Sequence, residues 1–116
     1  MVKDNFYVLH IKDAIKDIEK YTKGLSAEDF NREGVIRDAV VHKLMIIGEA
    51  AKKLSKSFTD VYPNIPWKNI AGTRDKIVHD YFDIDYVIVW AIVTDELPAL
   101  SIVVNDYFSR NPDLGV

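Results

Sequence analysis

From about Asn5 to Tyr21 the apolar residues fall at Val8, Ile11, Ala14, Ile15, Ile18 and Tyr21. That three-and-four spacing predicts an amphipathic helix. Asp4 is placed to cap its start, and Gly24 to end it. Ser26 to Phe30 then predicts a short capped turn of helix that tucks Phe30 inward. A longer helix is expected over roughly Val35 to Ser57, with Ile36, Val40, Leu44, Ile47, Ala51 and Leu54 on one stripe. Val41, Met45 and Gly48 widen that stripe, as burial on two sides would require. Gly48 costs about 1 kcal/mol of helix propensity against Ala, and close approach of another helix is the usual reason to keep it.

Tyr62-Pro63-Asn64-Ile65-Pro66 reads as a loop. Pro66 is placed as the first residue of a short helix carrying Trp67 and Ile70. A helix with Arg74 follows, and Asp83 or Asp85 caps a restart. Trp90, Val93, Leu97, Leu100, Val104 and Phe108 continue at helical spacing, interrupted by Pro98, which should bend or split the helix. The tail from Arg110 is expected to fray. No convincing period-two strand or repeat is present. The pattern predicts an all-α, up-and-down bundle of four to five helices formed by residues 1–116 as a single domain.

Composition narrows the setting. Apolar residues are 48% and charged residues 28%, ordinary for a folded domain. No run approaches the eighteen or so apolar residues of a membrane span, and the N-terminus is unlike a signal peptide, so no membrane partner is expected. The absence of Cys removes disulfides and thiolate metal sites and makes the cytoplasm the default location. A net charge of −3 means that any RNA contact must rest on a local patch.

The densest chemistry lies in Gly72-Thr73-Arg74-Asp75-Lys76-Ile77-Val78-His79-Asp80-Tyr81. Arg forks onto phosphate oxygens, His exchanges protons near neutral pH, and a phenol can be modified. Ile77 and Val78 sit between them as anchors. On a continuous helix Arg74 and His79 would diverge by roughly 140°. Either the helix ends near His79, or a second copy of the chain completes the site. Plainer roles compete: Arg74 as an ion-pair partner of Asp75, Asp80 or Glu49, and Tyr81 as interface packing. Trp67, Trp90 and Phe108 read as core, and His10 and His42 as structural or solvated. No His, Asp and Glu set has metal-ligand spacing on one face.

Arg74, His79 and Tyr81, in an Arg-x4-His-x-Tyr arrangement, resemble the motif of the HepT-like branch of the HEPN superfamily, the toxin half of a prokaryotic toxin–antitoxin pair. Ile46-Ile47-Gly48-Glu49-Ala50-Ala51, Tyr62-Pro63 with Ile65-Pro66-Trp67, and Val78-His79-Asp80-Tyr81-Phe82 extend the likeness over nearly the whole chain. The resemblance implies an all-α homodimer that cleaves RNA without a metal or other cofactor. It makes Arg74 and His79 catalytic, and Tyr81 the residue adenylylated by a minimal nucleotidyltransferase antitoxin. Asp75 stands where many members carry Asn. An acid there can orient His79 or Arg74, and it also repels phosphate. Glu49 is a second supporting candidate. Lys76 and Lys68, with Lys52, Lys53 and Lys56 on the long helix, are the candidates for tracking the RNA backbone. Two other functions are compatible: a catalytically silent module that binds a nucleotide or the antitoxin, and the substrate-binding subunit of a two-component nucleotidyltransferase.

Overall fold

Ser26 and Asp29 show how locally the first half of the chain is punctuated. The Ser26 hydroxyl accepts the Asp29 N–H and the Asp29 carboxylate accepts the Ser26 N–H, a reciprocal capping box that starts α2 (Ala27–Arg32). The turn before it passes through Gly24 at φ +77°, the left-handed region that favours glycine, just beyond α1 (Val2–Thr22). The structure, a computed structural model, describes residues 2–80 and 82–112, with side chains for all of these but 2, 79 and 80.

α3 (Gly34–Lys52) is shorter than the expected Val35–Ser57, and α4 (Lys56–Val61) is a separate helix. Ser55 makes the division. Its hydroxyl accepts the Phe58 N–H at 3.1 Å as an N-cap. Its own N–H and hydroxyl both donate to the Asp4 carboxylate, at 2.8 and 2.6 Å. Asp4 is therefore not the cap of α1, which begins at Val2; it is a buried clamp between the first turn of α1 and the start of α4. Lys56 consequently lies on α4 rather than on the long helix.

α5 (Trp67–Ala71) follows Pro66, which is the cap itself rather than the first helical residue. Gly72 joins α5 to α6 (Thr73–Ile77). Beyond it the chain forms a small antiparallel hairpin, β1 (Val78–Asp80) with β2 (Asp83–Ile84), where no strand was expected. The Asp85 carboxylate, one of the two caps open from the sequence, then accepts the Ile88 N–H and starts α7 (Tyr86–Ala91).

Pro98 splits the last helix by an identifiable route. A π-helical stretch, Ile92–Glu96, precedes α8 (Leu97–Arg110), and the Leu97 N–H reaches back five residues to the Ile92 carbonyl. Pro98 has no N–H to close a regular turn, so a widened turn fits here. Contrary to the composition reading, Tyr86–Arg110 is by length and composition long and apolar enough to cross a membrane. One stripe of it, Val89, Ile92, Leu97, Leu100, Val104 and Phe108, is buried in the core.

That core is built on α1 packed along α3, with α8 against α1 and α5 against α3. Ile11 and Ile18 from α1, Val40, Leu44 and Ile47 from α3, and Phe30 from α2 are almost fully buried. Phe30 stacks on Trp90 at 4.9 Å, which fixes α2 against α7. The described residues are thus all-α apart from the hairpin.

Three phenols tie elements together. Tyr62 donates to Asp106 and Tyr86 to Asp38, each at 3.0 Å, while Tyr107 donates to Asn5. Burial first, and then the Asp106 and Asp38 hydrogen bonds, push the phenols of Tyr62 and Tyr86 above their ordinary values. Burial and then the Asp4 charge raise Tyr107. Folded phenols thus hold their protons after unfolded ones lose them. Their contribution to stability is complete below about pH 10 and is lost as the pH rises above it. Thermal melts at increasing alkalinity are expected to show Tm falling above about pH 10, less steeply in a Tyr62→Phe, Tyr86→Phe double variant.

Candidate active site

The position of Arg74 follows from a glycine on another helix. A Cβ on Gly48 would lie 3.1 Å from the Ile70 carbonyl oxygen and 3.6 Å from that of Ala71. Only a residue without a side chain lets the end of α5 seat directly on α3, as the sequence suggested. The Ile70 carbonyl also accepts the Gly72 N–H, so it is not free to retreat. Gly48→Val is expected to destabilise the fold by about 1–3 kcal/mol through overpacking. A denaturant titration beside the wild type checks this.

From that seat the chain turns at Gly72 into α6. Thr73 is buried, its hydroxyl donating to the Asn69 carbonyl, and Ile77 is fully buried. Arg74 and Asp75 stand between these anchors and are exposed. Among the described residues Arg74 makes no ion pair with Glu49 or Asp75, while the side chain of Asp80, the third partner open from the sequence, lies outside them. Asp75 lies in the first turn of α6.

The helix stops at Ile77. Val78 is extended, at φ −114° and ψ 102°, and the Ile77 carbonyl accepts the Asp85 N–H at 2.8 Å, closing the hairpin. His79 therefore lies on β1 rather than on the Arg74 helix, and the divergence of a continuous helix does not apply. The helix thus ends before His79, one of the two arrangements open from the sequence. The His79 side chain and all of Tyr81 lie outside the described residues.

Arg74 opens onto a cleft of about 340 Å³ between α3 and the α5–α6 corner. Its deeper wall is Met45, Ile46, Gly48 and Ala71, and its exposed rim carries His42, Glu49, Lys52 and Arg74. Glu49 and Lys52 are 3.9 Å apart and both remain largely in solvent. The structure thus brings Arg74, Glu49 and Lys52 together. Lys53 is the exposed cap of α3 and Lys68 is exposed on α5, while Lys76 is half-buried on α6. Lys56 pairs with Asp60 at 2.9 Å on α4. None of these four lines the Arg74 cleft. Among the described residues no three His, Asp or Glu side chains gather as metal ligands.

His42, Met45 and Ile46 are the cleft residues that sequence reasoning passed over. The signal was present: residues 42, 45, 46, 49 and 52 recur at helical spacing on one face of α3. What it lacked was a reason to relate that face to Arg74, which only the docking of α5 on Gly48 supplies.

The family model described as "Ribonuclease HepT-like" matches residues 11–107. A protein of Caldanaerobacter subterraneus subsp. tengcongensis named "Putative RNase" is 43% identical over 94 residues, covering 81% of this chain and 84% of that one. A protein of the same designation from Methanocaldococcus jannaschii is 40% identical over 94 residues, 81% of this chain and 78% of that one. A "Probable ribonuclease HepT" of Thermococcus cleftensis is 38% identical over 94 residues, 81% and 86% of the two chains. No solved structure gives a significant match. The match over residues 11–107 and these likenesses agree: the chain belongs to the HepT-like ribonuclease family.

Proposed function

We propose that this chain is a metal-independent endoribonuclease, acting as the toxin of a cytoplasmic toxin–antitoxin pair. The observation that carries the reading is an exposed Arg74, free of carboxylate partners among the described residues and held at a cleft by buried neighbours, in a chain of the HepT-like ribonuclease family. An arginine so placed leaves its planar fork available to phosphate oxygens.

RNA carries its own nucleophile. In the proposed reaction His79 takes the proton of a 2′-hydroxyl, and the 2′-oxygen attacks the adjacent phosphorus. Arg74 stabilises the dianionic phosphorane through its forked N–H groups. The P–O bond to the 5′-oxygen breaks, and that oxygen receives a proton from water or from His79 of a second copy in a homodimer. The products are a 2′,3′-cyclic phosphate and a 5′-hydroxyl, and DNA, lacking the nucleophile, is not cut. Adenylylation of Tyr81 by a minimal nucleotidyltransferase antitoxin would add a nucleotide and negative charge to the motif, blocking RNA.

The test is cleavage of RNA by the purified chain in excess EDTA, with Tyr81 shown by mass to be unmodified, beside His79→Ala and Tyr81→Phe. Cleavage that leaves cyclic-phosphate ends and falls by about 10²–10⁴-fold in His79→Ala is expected. Tyr81→Phe should cleave RNA yet resist adenylylation. An inert, unmodified wild type would overturn the nuclease reading. The exposed Asp75 beside Arg74 and the net charge of −3 favour a second reading in that event: a silent subunit that binds a nucleotide or its antitoxin, within a two-component nucleotidyltransferase.

A further inference from the structure

We propose that the α3 wall of the Arg74 cleft is a pocket for one unpaired base of the substrate RNA, with guanine preferred, set by Glu49. The inference rests on the ribonuclease reading above and adds what the site selects.

The cleft is lined for two kinds of group. Arg74 and Lys52 are exposed cations at its rim, suited to phosphate. Met45 and Ile46 are half-buried and apolar below them, and apolar surface takes the face of a base rather than a phosphate. Its volume, about 340 Å³, lies in the range of about 300–1,000 Å³ for small-molecule clefts. His42, exposed on the same wall, offers a flat ring for stacking. Of the structural and solvated settings open to it from the sequence, its exposure matches the second, and stacking on a base would give the ring a partner.

Glu49 gives the pocket its selectivity. A carboxylate has two acceptor oxygens and no donor. It repels the phosphates, leaving them to Arg74 and Lys52, and it seeks base edges rich in N–H groups. Guanine presents N1–H and an N2 amino group side by side, matching both oxygens. Adenine and cytosine each offer one amino donor beside an acceptor, and uracil a single N–H between two carbonyls. The Glu49 pair with Lys52 is long, at 3.9 Å, with the carboxylate side chain 64% exposed, so it yields readily to a better-aligned donor pair.

The test uses uridine decamers with one central G, A, C or U, methylated at every 2′-oxygen so that they bind without being cut, and read by fluorescence anisotropy. The wild type is expected to bind the G decamer about tenfold more tightly than the all-uridine one. Glu49→Gln should reduce that ratio below about threefold, and His42→Ala should weaken all four to a similar degree. Both positions are exposed, so the variants are expected to fold. Equal binding of the four decamers by the wild type, or an unchanged preference in Glu49→Gln, overturns the pocket. Unmethylated decamers run in parallel separate this from the parent reading. Cleavage without base preference removes the pocket and keeps the nuclease; preference without cleavage does the reverse.

Discussion

Replacing Arg74 by alanine is expected to lower RNA cleavage by about 10²–10³-fold, the loss typical of removing one group that stabilises developing charge. The fold should be untouched, because the side chain is exposed and none of the ion pairs among the described residues includes it. Arg74→Lys supplies the discriminating measurement. It restores the positive charge without the planar fork, so it should bind RNA nearly as well as the wild type and cleave it poorly. Full activity in Arg74→Lys would reduce Arg74 to a phosphate tether. Wild-type activity in Arg74→Ala would remove it from the chemistry altogether. Circular dichroism and Tm on the same samples exclude a folding defect.

The largest effect on stability is expected at Leu44. It is 2% exposed on α3, the helix against which α1, α5 and α6 all pack. Leu44→Ala removes three carbons from a site with little room to collapse, and should cost about 3–5 kcal/mol. Against a total of about 5–15 kcal/mol for a domain, that consumes much of the margin and lowers Tm by roughly 10–20 °C. Leu44→Met conserves volume and should cost less than about 1.5 kcal/mol. Equal effects from the two substitutions would mean that the α3 core is loosely packed.

Features of the fold that depend on neighbours in sequence were legible in advance. The Ser26 box, the Gly24 stop and the Asp85 cap each act across four residues or fewer. The break at Ser55 was not legible, because its partner Asp4 lies 51 residues away and apolar spacing continues through Leu54. The hairpin was hidden by size: strands of three and two residues are too short to show a period. At the site, Arg74 stood out in the sequence as a candidate, and its setting was only half legible. Gly48 announced that something approaches α3, but not that the approaching segment carries the motif.

The π-helical stretch before Pro98 has a consequence for how this helix tolerates changes in length. Val89 and Leu97 are both buried, yet eight residues of regular helix would set them about 80° apart around the axis. One residue absorbed by the wider turn brings the interval to an effective seven, about 20° from two full turns. The bulge therefore works as a phase correction that keeps the apolar faces of α7 and α8 on the same core. A one-residue deletion within Ile92–Glu96 would be absorbed by a return to regular helix, whereas the same deletion elsewhere in Tyr86–Arg110 would rotate half of the buried stripe into solvent.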